Sequence, residues 1–239
     1  MKPSYSFKKL LTCLLFVIMS IHVYAATEFQ NFIKTGSGQS LPLFGYDLFQ
    51  NVPATFAPVD VPVTSDYIVG PGDEIKIRTW GQLDVDVTAT VDRNGMLFIP
   101  KIGNINVAGT KFRDLESQVA IEVGRLYKNF QLNVSMGKLR SIQIFVVGFA
   151  TKPGSYTVSS LSTLVNAIFA VGGPSEKGSL RNIQLKRDNK IITEFDMYDL
   201  ITSGDKSKDA RLLPGDIIYI PAVGSQVAIS GSVNTSAIF

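Results

Sequence analysis

Cysteine and histidine are almost absent from this sequence of 239 residues, which contains one of each. Cys13 and His22 both lie in the first 25 residues. Without that segment the chain has no thiolate and no imidazole, so it cannot build a Cys/His zinc site, a Ser-His-Asp triad or a Cys-His dyad. It also cannot form a disulfide, although an exported chain would be free to use one.

The first 25 residues have the three parts of a secretory signal peptide. Three lysines supply a positive start, an apolar core spans residues 10–21, and the small residues that follow predict cleavage between Ala25 and Ala26. We therefore interpret residues 1–25 as a signal peptide, with an uncleaved N-terminal anchor as the alternative.

The charge balance gives no sign of a nucleic-acid partner. Of the 23 Lys and Arg residues, three lie in the predicted signal peptide, which leaves 20 against 20 Asp and Glu. The formal charge of +3 therefore belongs to the signal segment. The rest of the chain has no excess of positive charge for binding phosphates, and we predict no nucleic-acid partner.

Hydrophobic patterning divides the remaining chain into four parts and predicts an α+β fold. Residues 26–65 are rich in Gly and Pro and predict an extended N-terminal arm. Residues 66–140 and 141–222 each combine alternating strands with a helix, and residues 223–239 begin another copy of the second of these units. We expect aromatic side chains to hold the arm against a folded surface, namely Phe44, Tyr46, Phe49 and Phe56.

Local signals set the expected turns and helix ends. Thr110 is predicted as the N-cap of a helix over residues 111–127. Asn94-Gly95 is predicted to turn a strand at 84–91 back onto a strand at 96–99. Ser162 is predicted to cap a short helix in the second unit, which the glycines that follow it should end.

Two sequence motifs occur twice. "PGDEIKI" begins at Pro71 and "PGDIIYI" at Pro214, and both predict a turn followed by a strand. "VVGFATKPGSY" at 146–156 aligns with "ISGSVNTSAIF" at 229–239. Because the second copy stops after its first hairpin, we expect a truncated product or a partial sequence.

The stretch Gly70-Pro71-Gly72-Asp73 is weighed first as a dinucleotide loop. That loop needs a third glycine and a following helix, whereas here Ile75 stands in place of the glycine and a strand follows. The stretch is therefore not interpreted as a nucleotide-binding loop.

Asp73 and Asp216 are weighed as paired glycosidase carboxylates or as turn residues that bind nearby backbone amides. Their repeated context favours the turn interpretation.

Trp80 is the only tryptophan of the chain. Its ring is suited to stacking on a sugar face, but a lone tryptophan at a strand end is more often a core residue, and we favour the core. The sequence predicts no catalytic residue, no metal site and no cofactor.

These segments together resemble the outer-membrane polysaccharide export family, which includes the Wza-like capsule exporters of Gram-negative bacteria. The resemblance is carried by "YIVGPGDEIKIRTWG", "VDRNGMLFIPKIGNINVAG", "VVGFATKPGSYTV" and "LLPGDIIYIP". It assigns residues 66–140 to a small polysaccharide-export domain and 141–222 to a soluble-ligand-binding β-grasp (SLBB) domain. Residues 223–239 are then the start of a second SLBB repeat.

The resemblance implies a periplasmic protein, associated with the outer membrane, that forms a homo-oligomeric ring and carries polysaccharide. It implies an inner-membrane co-polymerase and tyrosine autokinase as partner, and no covalent chemistry. Two alternatives stay open, a periplasmic glycan-binding module without a transport role and a carboxylate glycoside hydrolase or lyase. The resemblance also implies scaffold turns at Gly70, Pro71, Gly72, Asp73, Trp80, Gly81, Gly148, Pro153, Gly154, Gly172, Gly173, Pro214, Gly215 and Asp216.

Overall fold

The structure, a computed structural model, describes residues 27–50 and 62–239. The predicted signal peptide with its cleavage site, and Phe56, lie outside the described residues. The chain divides into two compact units, one containing residues up to Pro42 together with Gln226–Phe239 and the other containing Leu43–Ser225. Both helices and strands are present, so the predicted α+β class is confirmed.

The first described segment forms a helix where the sequence analysis predicts an extended arm. Helix α1 spans Glu28–Ser37. The Thr27 hydroxyl accepts a hydrogen bond from the Gln30 amide, the Gln30 side chain accepts one from the Thr27 amide, and Gly38 ends the helix with a φ of 72°. The extended prediction is wrong here because this reciprocal capping, rather than a long apolar period, marks the helix.

The first core of the Leu43–Ser225 unit is built on an antiparallel three-stranded sheet. Along its central strand, Ile75, Ile77 and Thr79 are buried, and the alternate side chains face away from the core. The elements are β1 (Glu74–Gly81), β2 (Val85–Thr90), β3 (Met96–Ile99), β4 (Gly103–Asn106), α2 (Phe112–Gly124) and β5 (Phe130–Met136). The order of the sheet is β2–β1–β5, and the β3–β4 hairpin and helix α2 complete the core.

The turn at Asn94-Gly95 is present, but the predicted hairpin across it is wrong. Strand β2 pairs with β1 and strand β3 pairs with β4, so the turn joins strands of different sheets. The Asp92 carboxylate accepts hydrogen bonds from the amides of Asn94 and Met96, at 2.8 Å each. This carboxylate closes the turn without a positive φ at Asn94.

The start of helix α2 also differs from the prediction. Its N-cap is Lys111, which makes no side-chain cap hydrogen bond. The predicted cap, Thr110, instead donates from its hydroxyl to the Gln118 side chain at 2.5 Å. A tertiary hydrogen bond thus competes with local capping for the hydroxyl.

The second core lies between a five-stranded sheet and one helix. The elements are β6 (Ser141–Gly148), β7 (Gly154–Ser159), α3 (Leu164–Ala170), β8 (Ile183–Arg187), β9 (Lys190–Phe195), α4 (Met197–Ser203) and β10 (Ile217–Ile220). The sheet order is β7–β6–β10–β8–β9, with β6 and β10 parallel. Thr163, not the predicted Ser162, caps α3 through the Asn166 amide. Helix α4 was not predicted, since it is short and is marked mainly by the cap residue Asp196.

Residues 43–49 pack onto this second core. They end in a short 3-10 helix at Tyr46–Phe49. The predicted role of aromatic residues in holding this part of the arm is confirmed. The contacts are Phe44 to Tyr198 and Phe49 to Phe169, each at 5.1 Å between ring centroids, and the Tyr46 hydroxyl to the Gly178 carbonyl at 2.5 Å.

The unit containing helix α1 also contains a two-stranded hairpin. Strands β11 (Ala228–Ile229) and β12 (Ala237–Ile238) pair antiparallel, and the Ile238 amide donates to the Pro42 carbonyl at 2.9 Å. The assignment of this hairpin to a second SLBB repeat stays a prediction. Among the described helices, none combines the length and the hydropathy that a membrane span requires.

Candidate functional site

Both Pro-Gly-Asp turns bury their aspartate completely. Asp73 and Asp216 have no exposed surface, and each is followed by a strand. In each turn the carboxylate accepts a hydrogen bond from the backbone amide three residues earlier, Gly70 at 2.9 Å for Asp73 and Leu213 at 2.7 Å for Asp216. The glycine before each aspartate has a positive φ, 92° and 85°, which brings the chain back over the carboxylate.

Each buried carboxylate is paired with an arginine. Arg140 Nη1 lies 2.6 Å from Asp73, and Arg187 donates to Asp216 from Nε at 2.8 Å and from Nη2 at 2.9 Å. The hydrogen bonds to Asp216 raise the pKa of the Arg187 guanidinium. A buried carboxylate without such a partner is strongly destabilising, so these arginines are integral to the two turns.

Around Asp73 the pairing extends into a group that we call the junction cluster, namely Tyr67, Asp73, Arg140 and Ser160. The Tyr67 hydroxyl donates to both carboxylate oxygens of Asp73, at 2.7 and 2.9 Å, and lies 2.9 Å from the Ser160 hydroxyl. Burial raises the pKa of Tyr67, which keeps the phenol protonated as a donor. The Arg140 backbone contributes as well, since its amide donates to Asp73 and its carbonyl accepts from the Ser160 amide.

The junction cluster joins the two cores of the Leu43–Ser225 unit. Tyr67 belongs to the first core, and Leu161, next to Ser160, also packs against that core. Ser160 follows strand β7, which belongs to the second sheet. Arg140 is the residue that immediately precedes β6. The first Pro-Gly-Asp turn is therefore bonded to the point where the chain passes from one core to the next.

The geometry favours a structural role for both aspartates. Asp73 and Asp216 have different arginine partners, and their hydrogen-bond networks share no residue. Their oxygens accept hydrogen bonds from protein donors, and neither carboxylate is exposed to solvent. Within residues 27–50 and 62–239, no group of three or more Cys, His, Asp or Glu is placed to hold a metal ion.

Of the other predicted scaffold positions, Trp80 and Gly81 end β1 in the first core, and the rest lie in the second core. Gly148 ends β6 with a φ of 83°, and a side chain there would collide with the Ile220 carbonyl of the neighbouring strand β10. Pro153 lies between β6 and β7, and Gly154 is the first residue of β7. Gly172 and Gly173 follow Val171, the C-cap of α3. Their role as scaffold turns stays a prediction.

Trp80 lies on the outer side of β1, with 48% of its surface exposed. The expectation that this tryptophan belongs to the core is wrong. Strand alternation puts position 80 on the same side as Lys76 and Arg78, and Thr79 takes the buried position beside it. The alternation was visible in the sequence, so this signal could have placed the ring outside.

Four residues of the two aspartate networks were missed by sequence reasoning, namely Tyr67, Arg140, Ser160 and Arg187. A buried aspartate requires a cationic or donor partner. The turn motif indicates that such a partner exists. It does not indicate which of the many Lys and Arg residues supplies it, because the partner comes from another part of the chain.

Comparison with known families gives two adjacent matches. Residues 61–137 match a family described as polysaccharide biosynthesis/export protein, and residues 143–220 match the SLBB domain family. The matched regions correspond to the first and second cores of the structure, and both agree with the resemblance carried by the sequence motifs.

Several characterised proteins are similar to this chain. The polysialic acid transport protein KpsD of Escherichia coli is 30% identical over 196 residues, which is 81% of this chain and 35% of KpsD. The EPS I polysaccharide export outer membrane protein EpsA of Ralstonia nicotianae is 28% identical over 146 residues, 60% of this chain and 38% of EpsA. The capsule polysaccharide export protein BexD of Haemophilus influenzae is 24% identical over 130 residues, 54% of this chain and 32% of BexD. The chain thus spans about a third of the length of these relatives.

Proposed function

We propose that this chain, which matches the polysaccharide biosynthesis/export family and the SLBB domain family in adjacent regions, is a non-enzymatic component of capsule or exopolysaccharide export. In this role it acts in the periplasm at the outer membrane and forms part of an oligomeric translocation channel. Its partners are the exported polysaccharide, further copies of itself, and an inner-membrane co-polymerase and tyrosine autokinase.

The observation that carries the proposal is the order of the two family matches, an export domain followed directly by an SLBB domain. The junction cluster supports it, because Tyr67 of the first matched region contacts Ser160 of the second, and Arg140, which lies between the two regions, pairs with Asp73. A component that guides a polymer needs domains held in a defined arrangement, and this contact supplies a fixed connection between them.

The chemistry of the described residues supports a role without catalysis. The two aspartates that could have served as a glycosidase pair are each held by an arginine and a backbone amide. A general acid or base must reach the substrate proton, and these carboxylates are buried. The third hypothesis of the sequence analysis, a carboxylate hydrolase or lyase, gains no support from Asp73 or Asp216.

The names of the relatives guide the choice of polymer. KpsD is named for polysialic acid, EpsA for the EPS I polysaccharide and BexD for a capsule polysaccharide. We take a long surface polysaccharide as the substrate class of this chain. A glycan-binding module without a transport role is the alternative, and the half-exposed Trp80 is the observation that favours it.

The proposal is tested with surface polysaccharide as the readout. Cells that lack the gene are compared with the same cells carrying either the full gene or the 239-residue chain. We expect polymer to disappear from the surface on deletion, to accumulate inside the envelope, and to return with the full gene. Restoration by the 239-residue chain would assign export to these residues alone. Unchanged surface polymer on deletion would contradict the export role.

A further inference from the structure

The outer side of the first sheet forms a polar surface with one aromatic ring, which we call the open face. Strand β1 is the central strand, and its side chains alternate with the buried Ile75, Ile77 and Thr79. The side chains of β2 and β5 that pair with it on the outer side are all polar. The open face consists of Lys76, Arg78 and Trp80 on β1, Asp86 and Thr88 on β2, and Gln131, Asn133 and Ser135 on β5.

The backbone next to Trp80 is held in place, although the Trp80 ring is exposed. The neighbouring Gly81 lies so close to the Asn129 carbonyl that a Cβ would come within 2.8 Å of it. The Gln82 amide donates to that same carbonyl at 2.7 Å, and the Gln82 side chain accepts from the Lys128 amide at 3.2 Å. The end of β1 is thus bonded to the loop before β5, which fixes the backbone from which the Trp80 ring projects.

The groups beside Trp80 are hydrogen-bonding side chains. Gln131 is its partner in register, and Asn133 is the partner of Arg78. Neither amide side chain makes a hydrogen bond within the part of the chain that the structure describes. Arg78 is oriented by Asp86, with both of its bonds, 3.0 and 2.7 Å, made to one carboxylate oxygen. The aromatic plane is therefore flanked by two amides whose hydrogen-bonding groups face solvent, and by a guanidinium paired with a carboxylate.

We propose that the open face binds a glycan strand, with one sugar ring stacked on Trp80 and its hydroxyls bonded to Gln131 and Asn133. A pyranose has an apolar C–H face and a rim of hydroxyls, which matches a ring with one apolar plane surrounded by amide donors and acceptors. This inference deepens the proposed export function and rests on it, since the exported polymer is the glycan in question.

Other occupants fit the open face less well. A protein partner favours a surface whose centre is apolar, and aside from Trp80 the open face carries no large apolar side chain. A nucleic acid favours an excess of cations, whereas Arg78 is neutralised by Asp86 and only Lys76 adds a further positive charge. Hydroxyls, amides and one exposed indole are the groups that a sugar uses best.

The test uses Trp80 as its own probe, because the chain has no other tryptophan. Polysaccharide is purified from the surface of cells that carry the gene, cut by mild acid and separated by length. The full chain is titrated with each fraction while tryptophan fluorescence is followed. We expect a saturable change in intensity and wavelength, which strengthens as the oligosaccharide grows long enough to cross the sheet.

Variants are compared by calorimetric titration, which does not depend on the tryptophan. Trp80→Ala is expected to weaken binding about tenfold or more, as for a central aromatic contact. Trp80→Phe should recover part of that loss, and Gln131→Ala with Asn133→Ala should also weaken binding. Phe98→Ala is the matched control, since Phe98 is an exposed aromatic residue on β3 and lies outside the open face.

The outcomes separate this inference from the export role. No saturable fluorescence change, or equal affinities for Trp80→Ala and Phe98→Ala, would overturn the open face as a glycan site while leaving the deletion result intact. Trp80-dependent binding together with unchanged surface polymer on gene deletion would support the site and overturn the export function. Trp80-dependent binding together with lost polymer on deletion supports both.

Discussion

The two Pro-Gly-Asp turns have the same three residues but use their buried aspartates differently. Asp216 is held by Arg187 of β8, the strand beside β10 in the same sheet, so its network stays within one core. Asp73 is held by Arg140, 67 residues further along the chain, and by Tyr67, which in turn contacts Ser160. The Pro-Gly-Asp turn itself is therefore a local structure. Whether it also links two cores depends on where its arginine partner lies, Arg140 for Asp73 and Arg187 for Asp216.

The difference has an energetic consequence. Removing one partner of a buried ion pair leaves an uncompensated charge and costs about 3 to 5 kcal/mol. At Asp216 that cost falls on the second core alone. At Asp73 the cost falls on the first core and also on the contact between the first core and the second. The same substitution at the two turns should therefore change cooperativity in one case and only stability in the other.

The largest expected effect comes from Asp73→Ala. It leaves the Arg140 guanidinium, the Tyr67 hydroxyl and the Gly70 amide without their shared acceptor. We expect the free energy of unfolding of the Leu43–Ser225 unit to fall by about 3 kcal/mol. Urea unfolding, followed by circular dichroism and by Trp80 fluorescence, should separate into two transitions because the cores are no longer coupled.

Asp216→Ala is the matched variant for this measurement. It removes the same turn carboxylate and leaves Arg187 without its acceptor, but it does not touch the junction cluster. We expect a loss of similar size but a single transition, with circular dichroism and Trp80 fluorescence giving the same midpoint, because the junction cluster still couples the two cores. If both variants unfold in a single transition with the same midpoint, the distinction between a linking and a local turn is wrong.

A smaller effect is expected from Tyr67→Phe. The change keeps the ring and removes the hydroxyl that bonds Asp73 and Ser160. Asp73 retains Arg140 and the Gly70 amide, so we expect a loss of about 1 kcal/mol. Thermal and urea unfolding at neutral pH measure it, and a loss as large as that of Asp73→Ala would contradict the assigned order of importance.

The same variant gives a test in alkaline solution. Burial raises the pKa of Tyr67 above the value of about 10 for an unfolded tyrosine. The stability that its protonated form contributes is therefore fully present below pH 10 and is lost as the pH rises through the folded pKa. We expect the stability difference between the native chain and Tyr67→Phe to be constant below pH 9 and to shrink above pH 10. A difference that stays constant through this range would contradict the proposed role of the hydroxyl.

The sequence predicted well those features that depend on neighbours along the chain. Alternation in β1 and the two repeated turns are local patterns, and the structure has them where they were expected. The pairing of strands was harder, since Asn94-Gly95 marked a turn but not that β2 and β3 belong to different sheets. The capping of α1 by Thr27 and Gln30 was also local, and was missed because no long apolar period accompanied it.

In the candidate site, too, the local features were predictable from the sequence and the contacts between distant residues were not. The turn around Asp73 followed from Pro, Gly and Asp acting within four residues. Its partners Arg140 and Ser160 depend on how two cores meet, which a single sequence does not encode in any spacing. Trp80 was placed in the core on its chemistry, although the alternation with Lys76 and Arg78 indicated the open face.

The smallest effect is expected at the exposed margin of the junction. Arg211 Nη2 donates to the Thr64 hydroxyl at 2.9 Å. Thr64 lies in the region of the first core and Arg211 in the region of the second, so this bond also connects the two. The bond is exposed, so water can replace either partner. We therefore expect Thr64→Ala to change the free energy of unfolding by less than about 0.5 kcal/mol and to leave a single transition. Split transitions in Thr64→Ala would show that the cores are coupled at the surface. Their absence, beside a split in Asp73→Ala, would locate the coupling in the buried cluster.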